Sequence, residues 1–329
     1  MANEPTILVL GAGGYLGTTT IAEAVAANRP VVGLVRNQAA AERLRALGAQ
    51  ACIGDAARPQ EWQAALMNVD VVIDLIQPAF PSRITRRVLR RVARERAAVT
   101  RAVCGAIAAL PADRRPTYIY VGGCDELAAT DGVMRDTSAR RTRLVGAGRI
   151  GAPAYEVLAS SGLPFASVYL GTVYGAGKAF ATAILPGIEA GSFPIIGRGN
   201  NRLPLIYVED AARALVHIAG LGTRSIGRGF VVAHPCGSTS SAFFETTARA
   251  LGARRPRHLP AWLVGLVAGA GAVELMSADA RVESEGLART GFSLRFPTLE
   301  TGVTAMVEAF RSQRAAAAMP SVSSPRLVD

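Results

Sequence analysis

In the stretch VYGAGKAF, Val173 to Phe180, Tyr174 precedes Lys178 by four residues, and Lys178 is the only lysine in the chain. A phenol with a pKa of about 10 is a poor base at neutral pH, so a neighbouring ammonium would give such a pair a proton-transfer role. A second cluster, Cys124, Asp125 and Glu126, follows the apolar segment PTYIYVGG. Two readings of Cys124 stay open: a weak donor or nucleophile facing a crevice, or a plain buried cysteine. Either carboxylate beside it could act as acid or base in a dry pocket. The other cysteines, Cys52, Cys104 and Cys236, and the three histidines are scattered. They suggest neither a zinc site nor a disulfide framework, and no metal is expected.

These groups need a scaffold, and its pattern begins at once. TILVLGAGGYLGTTTIAEAVAA reads as strand, glycine turn and helix, with Gly11, Gly14 and Gly17 at the turn. TILVL is uniformly apolar, as a strand buried on both faces should be. Gly11 permits the tight turn, Gly14 lets backbone approach a pyrophosphate, and Gly17 permits close helix–sheet contact. Tyr15 and Leu16 open the helix, whose N-terminus favours phosphate charge. VVGLVRN, QACIGD and VDVVIDLIQP read as further strands, with AAAERLRALGA and PQEWQAALMN as helices between them. PTYIYVGG, FASVYLGTVYG and GRGFVVAHP follow as later strands. This alternation predicts an α/β fold: a Rossmann-like doubly wound parallel sheet with a smaller C-terminal substrate lobe.

In such a sheet ligands sit at the carboxyl ends of the strands. That places Leu75, Ile76 and Gln77 under a dinucleotide, with Thr172 and Val173 at a later strand end. Asp55 and Ala56 fall where an adenine amino group would be met, and Asp74 either binds or satisfies a loop. The second strand ends in Arg36 and Asn37 with no acid nearby. A guanidinium there suits a ribose 2′-phosphate, which favours NADP(H) over NAD(H), unless Arg36 is a solvated surface arginine.

Half the 329 residues are apolar and the net charge is +11. The composition supports a large core, and no nucleic-acid-binding signature accompanies the charge. From Arg83 to Arg101 a helical stretch carries eight arginines and one acid, Glu95, around a seam of Ile84, Val88 and Val92. It reads as a solvated face beside an interface, or as a docking site for an acidic carrier or phosphorylated substrate. AWLVGLVAGAGAV (Ala261–Val273) is too short to span a bilayer and is expected to be a buried helix. A signal peptide is not evident, no membrane or nucleic-acid partner is expected, and the cytoplasm is the expected location. The expected domains are 1–175, mainly dinucleotide-binding, and 176–312, a lobe with segments near 205–235 returning to the sheet. A flexible tail is expected over 313–329.

The chain resembles the extended short-chain dehydrogenase/reductase superfamily in its NAD-dependent epimerase/dehydratase branch. The glycine pattern at 11, 14 and 17 carries the likeness, with VRN, Gly54–Asp55 and VYG at 173–175. FPIIGRGNNRLPLIYVEDAARAL (Phe193–Leu215) and SEGLARTGFSLRFPTLETGVTAM extend it over roughly residues 6–310. The resemblance implies a catalytic tyrosine, a lysine four residues on, and a serine or threonine that orients substrate. Counting back from Glu156, the tyrosine position falls on Gly148 and the lysine position on Ala152. The serine position falls on Cys124. Tyr174 and Lys178 lie after the strand rather than on that helix, so they match by spacing and not by place. Tyr155, on the same helix, is a further candidate or a core residue. The resemblance also implies a dimer packed through the arginine-rich helix.

The implied function is an atypical NAD(P)-dependent oxidoreductase or epimerase-like enzyme acting on a small hydroxy or oxo metabolite, anionic or carrier-bound. Its chemistry would run through Cys124, Asp125, Tyr174 or Lys178. The alternatives are a non-redox isomerase, cyclase or lyase, or a non-catalytic NADP-binding sensor or partner. Arg36→Ala is expected to weaken NADPH binding far more than NADH binding in a titration. Equal losses would remove the case for a 2′-phosphate contact.

Overall fold

The computed structural model describes residues 4–129, 132–135, 137–140, 144, 146–235, 237–277 and 279–318. Cys236 and residues 319–329 therefore lie outside the described residues. Seven parallel strands form the central sheet: β1 (Ile7–Leu10), β2 (Val31–Val35), β3 (Gln50–Ile53), β4 (Val71–Asp74), β5 (Thr117–Gly123), β6 (Phe165–Leu170) and β7 (Gly229–Val232). Their order is β7-β6-β5-β4-β1-β2-β3, with the crossover point at β1 and β4. Every residue of β1 and β4 is buried, which accounts for the apolar runs Ile7–Leu10 and Val71–Ile73. Ile7 lies level with Val31 on one side and Val71 on the other, so the carboxyl ends of β1, β2 and β4 form one edge.

Helices cover both faces. α1 (Tyr15–Ala26) and α2 (Gln38–Ala46) follow the first two strands. α3 (Arg86–Ala108) starts at Thr85, whose hydroxyl accepts from the Val88 amide, and packs along α4 (Gly148–Ala159). Later come α5 (Leu185–Glu189), α6 (Val208–Gly220), α7 (Ser240–Leu251), α8 (Ala261–Ala268), α9 (Ala270–Met276), α10 (Glu285–Ala288) and α11 (Leu299–Ala318). α5, α7 and α11 enclose an apolar cluster that includes Phe243, Phe244, Met306 and Phe310. This is the core of the C-terminal lobe.

Three expectations need correction. PQEWQAALMN is not one α-helix but two short 3-10 segments, Pro59–Glu61 and Gln63–Asn68. Trp62 interrupts them at φ −140°, because its ring is buried and its indole donates to the Asp55 carbonyl at 3.0 Å. The Ala261–Val273 run is not one buried helix. Gly269, at φ +93°, divides it into α8 and α9, and no residue of α8 is buried. The chain also remains helical to Ala318 rather than fraying from residue 313.

Beneath the cleft edge, Arg96 turns inward from α3, whose other arginines are exposed. Its Nη1 donates to Asp74 Oδ2 at 2.7 Å and to Thr100 Oγ1 at 2.9 Å. The Tyr118 hydroxyl donates to the same Asp74 oxygen. Burial disfavours the Arg96 charge, but Asp74 and the flanking phenols more than offset it, so the guanidinium stays protonated. Burial, then Asp74, drives the Tyr118 hydroxyl well above its ordinary value. Asp74 is thus a buried structural anchor. Removing one partner strands a buried charge, so Arg96→Ala should lower stability in urea unfolding by about 3–5 kcal/mol. The apolar double variant Asp74→Leu/Arg96→Met should recover most of that loss.

Candidate active site

A cleft of about 560 Å³ opens along the carboxyl edge of the sheet, from the glycine turn to the end of β5. Such a volume suits a small-molecule site. Gly11 adopts φ +76°, and a side chain there would press on the Leu75 backbone at 3.0 Å. A Cβ at Gly17 would run into the Gly11 carbonyl, so α1 can sit this close only with glycine there. No side chain caps α1, and its first turn contains no acid. Tyr15, Leu16 and Gly17 line the cleft at the first turn of α1, where helix amides lack intrahelical partners and favour an anion. These residues fit the pyrophosphate of a dinucleotide.

Lys178 does not pair with Tyr174. Tyr174 is fully buried, and its hydroxyl is hydrogen-bonded to His234 Nε2 at 3.1 Å. Burial also raises the phenol further above its ordinary value, so it stays protonated at neutral pH. The same hydroxyl lies against Gly302 of α11, where a Cβ would collide with it. Lys178 instead takes a left-handed backbone, φ +46°, in the exposed turn. This carries its ammonium over the glycine turn, where a Cβ on Gly14 would lie 3.6 Å from Nζ. Gly175 and Gly177 have a plain purpose here: any side chain at either would overlap Tyr15, which packs across them. Burial, with Glu209 adding to it, raises the Tyr15 phenol to about 12.

At the other end of the cleft, α4 presents glycine where the resemblance calls for a tyrosine. A Cβ at Gly148 would meet the Asp125 carbonyl at 2.6 Å. A Cβ at Gly151 would collide with Glu126 Oε1 and meet the Tyr120 hydroxyl at 2.7 Å. Space that side chains of the helix would fill is therefore taken by the turn after β5. The Tyr120 hydroxyl donates to Glu126 Oε1 and Oε2 at 2.9 and 3.0 Å, and the Gly123 amide donates to Oε1 at 3.2 Å. Arg140 Nη1 donates to Oε2 at 3.1 Å, its guanidinium stacked 3.4 Å above the Tyr155 ring and bonded to the Tyr169 hydroxyl. Tyr155 is thus a stacking platform.

Glu126 is fully buried, yet it lines the cleft wall beside Gly122 and Gly151. Burial outweighs its hydrogen bonds and raises the carboxyl to about 7. Cys124 is less apt for chemistry. Its Sγ is buried and donates to the Tyr169 carbonyl at 3.5 Å, and burial holds the thiol protonated. Asp125 lines the cleft half-exposed, accepting from the Ala147 amide at 3.1 Å.

The cleft brings together Gly11, Gly14, Tyr15, Leu16, Gly17, Leu75, Ile76, Gln77, Cys124, Asp125, Thr172, Val173 and Lys178. Arg36, Asn37, Asp55, Ala56 and Tyr174 do not line it. Arg36 is exposed, and Asn37 caps α2 by accepting from the Ala40 amide at 2.9 Å. Asp55 is engaged locally with the Ala57 amide and Arg58, while Ala56 is buried in the core. Sequence reading did not find Arg96, Tyr120, Arg140 or Tyr169, and it gave Glu126 no greater weight than Asp125. The one available signal was Gly148 and Gly151, three apart on one helix face, which leave room for a neighbour.

Fold and cleft define a dinucleotide-binding protein of the doubly wound class. The model of the NAD dependent epimerase/dehydratase family matches residues 7–233, and the chain belongs to that family. With it the chain joins the NAD(P)-binding enzymes of the epimerase/dehydratase-like branch, which act on small metabolites. Among curated proteins, none matches the sequence significantly. Solved structures with a similar fold include a human epimerase family protein, SDR39U1 isoform 2 with NADPH, at 21% identity and TM-score 0.75, covering 92% of this chain and 99% of that one. The UDP-glucose 4-epimerase of Thermotoga maritima, with UDP-glucose, is 17% identical at TM-score 0.73, covering 94% and 99%. The UDP-glucuronic acid 4-epimerase of Bacillus cereus, with UDP-glucuronic acid and NAD, is 15% identical at TM-score 0.73, covering 94% and 99%.

The raised Glu126 carboxyl has a consequence for stability. Between its usual value of 4.5 and about 7, the unfolded chain ionises this group while the native protein keeps the proton. Stability should therefore fall as pH rises through that window, by roughly 1–3 kcal/mol. Glu126→Gln should flatten this part of the thermal-melting profile, and an unchanged profile would show that the group ionises normally.

Proposed function

We propose that the chain is an atypical NAD(P)-dependent enzyme that interconverts hydroxyl and carbonyl groups on a small metabolite, with Glu126 as its acid and base. The observation that carries this reading is the buried Glu126 carboxyl on the cleft wall, in space that Gly151 leaves open. A group titrating near 7 can both take and return a proton at neutral pH, which an isolated phenol cannot. Tyr120 and Arg140 orient it, as two donors fixed in the protein. Asp125, half-exposed beside it, is placed to orient a substrate hydroxyl.

The dinucleotide would be held at its pyrophosphate by the turn at Gly11, Gly14 and Gly17 and by Lys178. Leu75, Ile76 and Gln77, with Thr172 and Val173, would form the floor of its cleft. When bound, the nicotinamide supplies hydride exchange. Arg36, exposed at the end of β2, favours the 2′-phosphate of NADP(H). The human relative solved with NADPH supports this choice, while the bacterial epimerase solved with NAD supports the broader NAD(P) reading.

Lys178→Ala should weaken NADPH binding about tenfold or more, as loss of one charge-assisted phosphate contact does. Glu126→Gln should leave that binding intact and lower turnover by about 100-fold or more, removing the pH dependence near neutrality. Asp125→Asn should mainly raise KM. No affinity for either dinucleotide would exclude the enzyme reading and the sensor reading together. Binding with full turnover in Glu126→Gln would exclude Glu126 as the proton carrier.

A further inference from the structure

We infer that the protein docks on anionic lipid surfaces through the outer face of α8. This inference is independent of the chemistry assigned to Glu126. α8 contains no charged residue, yet it turns its large side chains outward. Trp262, Leu263, Leu266 and Val267 are 69%, 38%, 62% and 78% exposed. Their spacing, i, i+1, i+4 and i+5, sets them on a single helix face. Side chains this exposed stand proud of the surface and are free to insert into an apolar layer. No described helix is long and apolar enough to cross a membrane, so this element would lie on a bilayer rather than span it.

Charge decides what kind of surface fits. The C-terminal end of α8 is fixed against the start of α3. The Ile84 amide donates to the Ala268 carbonyl at 2.8 Å, and the Gly271 amide donates to the Ile84 carbonyl at 2.8 Å. Arg83 and Arg87 are exposed at that end, and Arg254 and Arg257 are exposed in the segment leading into the helix. None of these four has an ion-pair partner among the described residues. From Thr246 to Val273 the sequence has no acid at all. Farther along, Arg87, Arg90 and Arg94 of α3, with Arg149 of α4, line a shallow groove. The apolar stripe is thus bracketed by Arg83 and Arg87 at one end and by Arg254 and Arg257 at the other. An occupant must be apolar and anionic together, and the headgroup boundary of an anionic bilayer is both. A second copy of the chain docked symmetrically through this face would set arginine against arginine.

The chain has two tryptophans, and Trp62 is only 2% exposed. Emission changes on adding lipid therefore report Trp262. The full chain should float with vesicles of mixed phosphatidylglycerol and phosphatidylcholine, with a blue-shifted emission, and should not float with phosphatidylcholine alone. Added salt should release it. The variant Trp262→Ser/Leu266→Ser/Val267→Ser should partition about tenfold less or weaker still. Arg83→Glu/Arg87→Glu should lose the preference for phosphatidylglycerol while keeping its melting temperature, which keeps the test valid if the serine variant folds poorly. Absence of flotation on phosphatidylglycerol vesicles would overturn the proposal. Self-association abolished by Trp262→Ser, without lipid binding, would overturn it in favour of a self-interface.

Discussion

Asp74 and Arg96 are buried together at the carboxyl end of β4, where the sheet edge becomes the floor of the cleft. Neither charge can be left alone in that place, so α3 has one height and rotation at which it can dock. α4 packs on α3, and α4 brings Gly148 and Gly151 against the turn after β5. The carboxyl group of Glu126 is thus positioned through a chain of contacts that begins with a different carboxylate. Tyr118 and Tyr120, two residues apart on β5, serve the two acids in turn. One strand therefore couples the anchor to the candidate acid–base group.

Much of the fold is legible in the sequence because strand burial and glycine turns are local properties. TILVL and VDVVIDL read as central strands, since both of their faces are covered, and Gly11 through Gly17 read as a phosphate turn. The site was less legible because it depends on neighbours distant in the chain. Nothing within the VYGAGKAF segment tells that Tyr15 lies across its glycines, or that Lys178 is swung over Gly14 instead of toward Tyr174. Gly151 and Glu126 are twenty-five residues apart, and their complementarity exists only once α4 and β5 are packed. Apolar composition also misleads where it is not matched by burial. α8 has the residues of a core helix and the exposure of a surface one.

The glycines of α4 and the buried acid beside it are two sides of one packing arrangement. A tyrosine at position 148 would need the volume that the Asp125 backbone occupies. A side chain at 151 would displace the Glu126 carboxylate. The backbone of Asp125 thus excludes a tyrosine at 148 sterically, so restoring that residue alone would not recreate the customary site.

The contact between Tyr174 and Gly302 reaches further than the packing of one ring. The turn that carries Lys178 over the glycine loop is braced at Tyr174, which bonds His234, packs on Tyr207 and Phe243, and is closed on its last side by Gly302 of α11. During synthesis the strands β1 to β5 leave the ribosome well before residue 302 does. The dinucleotide cradle can assemble early, but the brace beneath the lysine above it is complete only when α11 has emerged. Completion of the cleft therefore draws on residues translated well after its cradle.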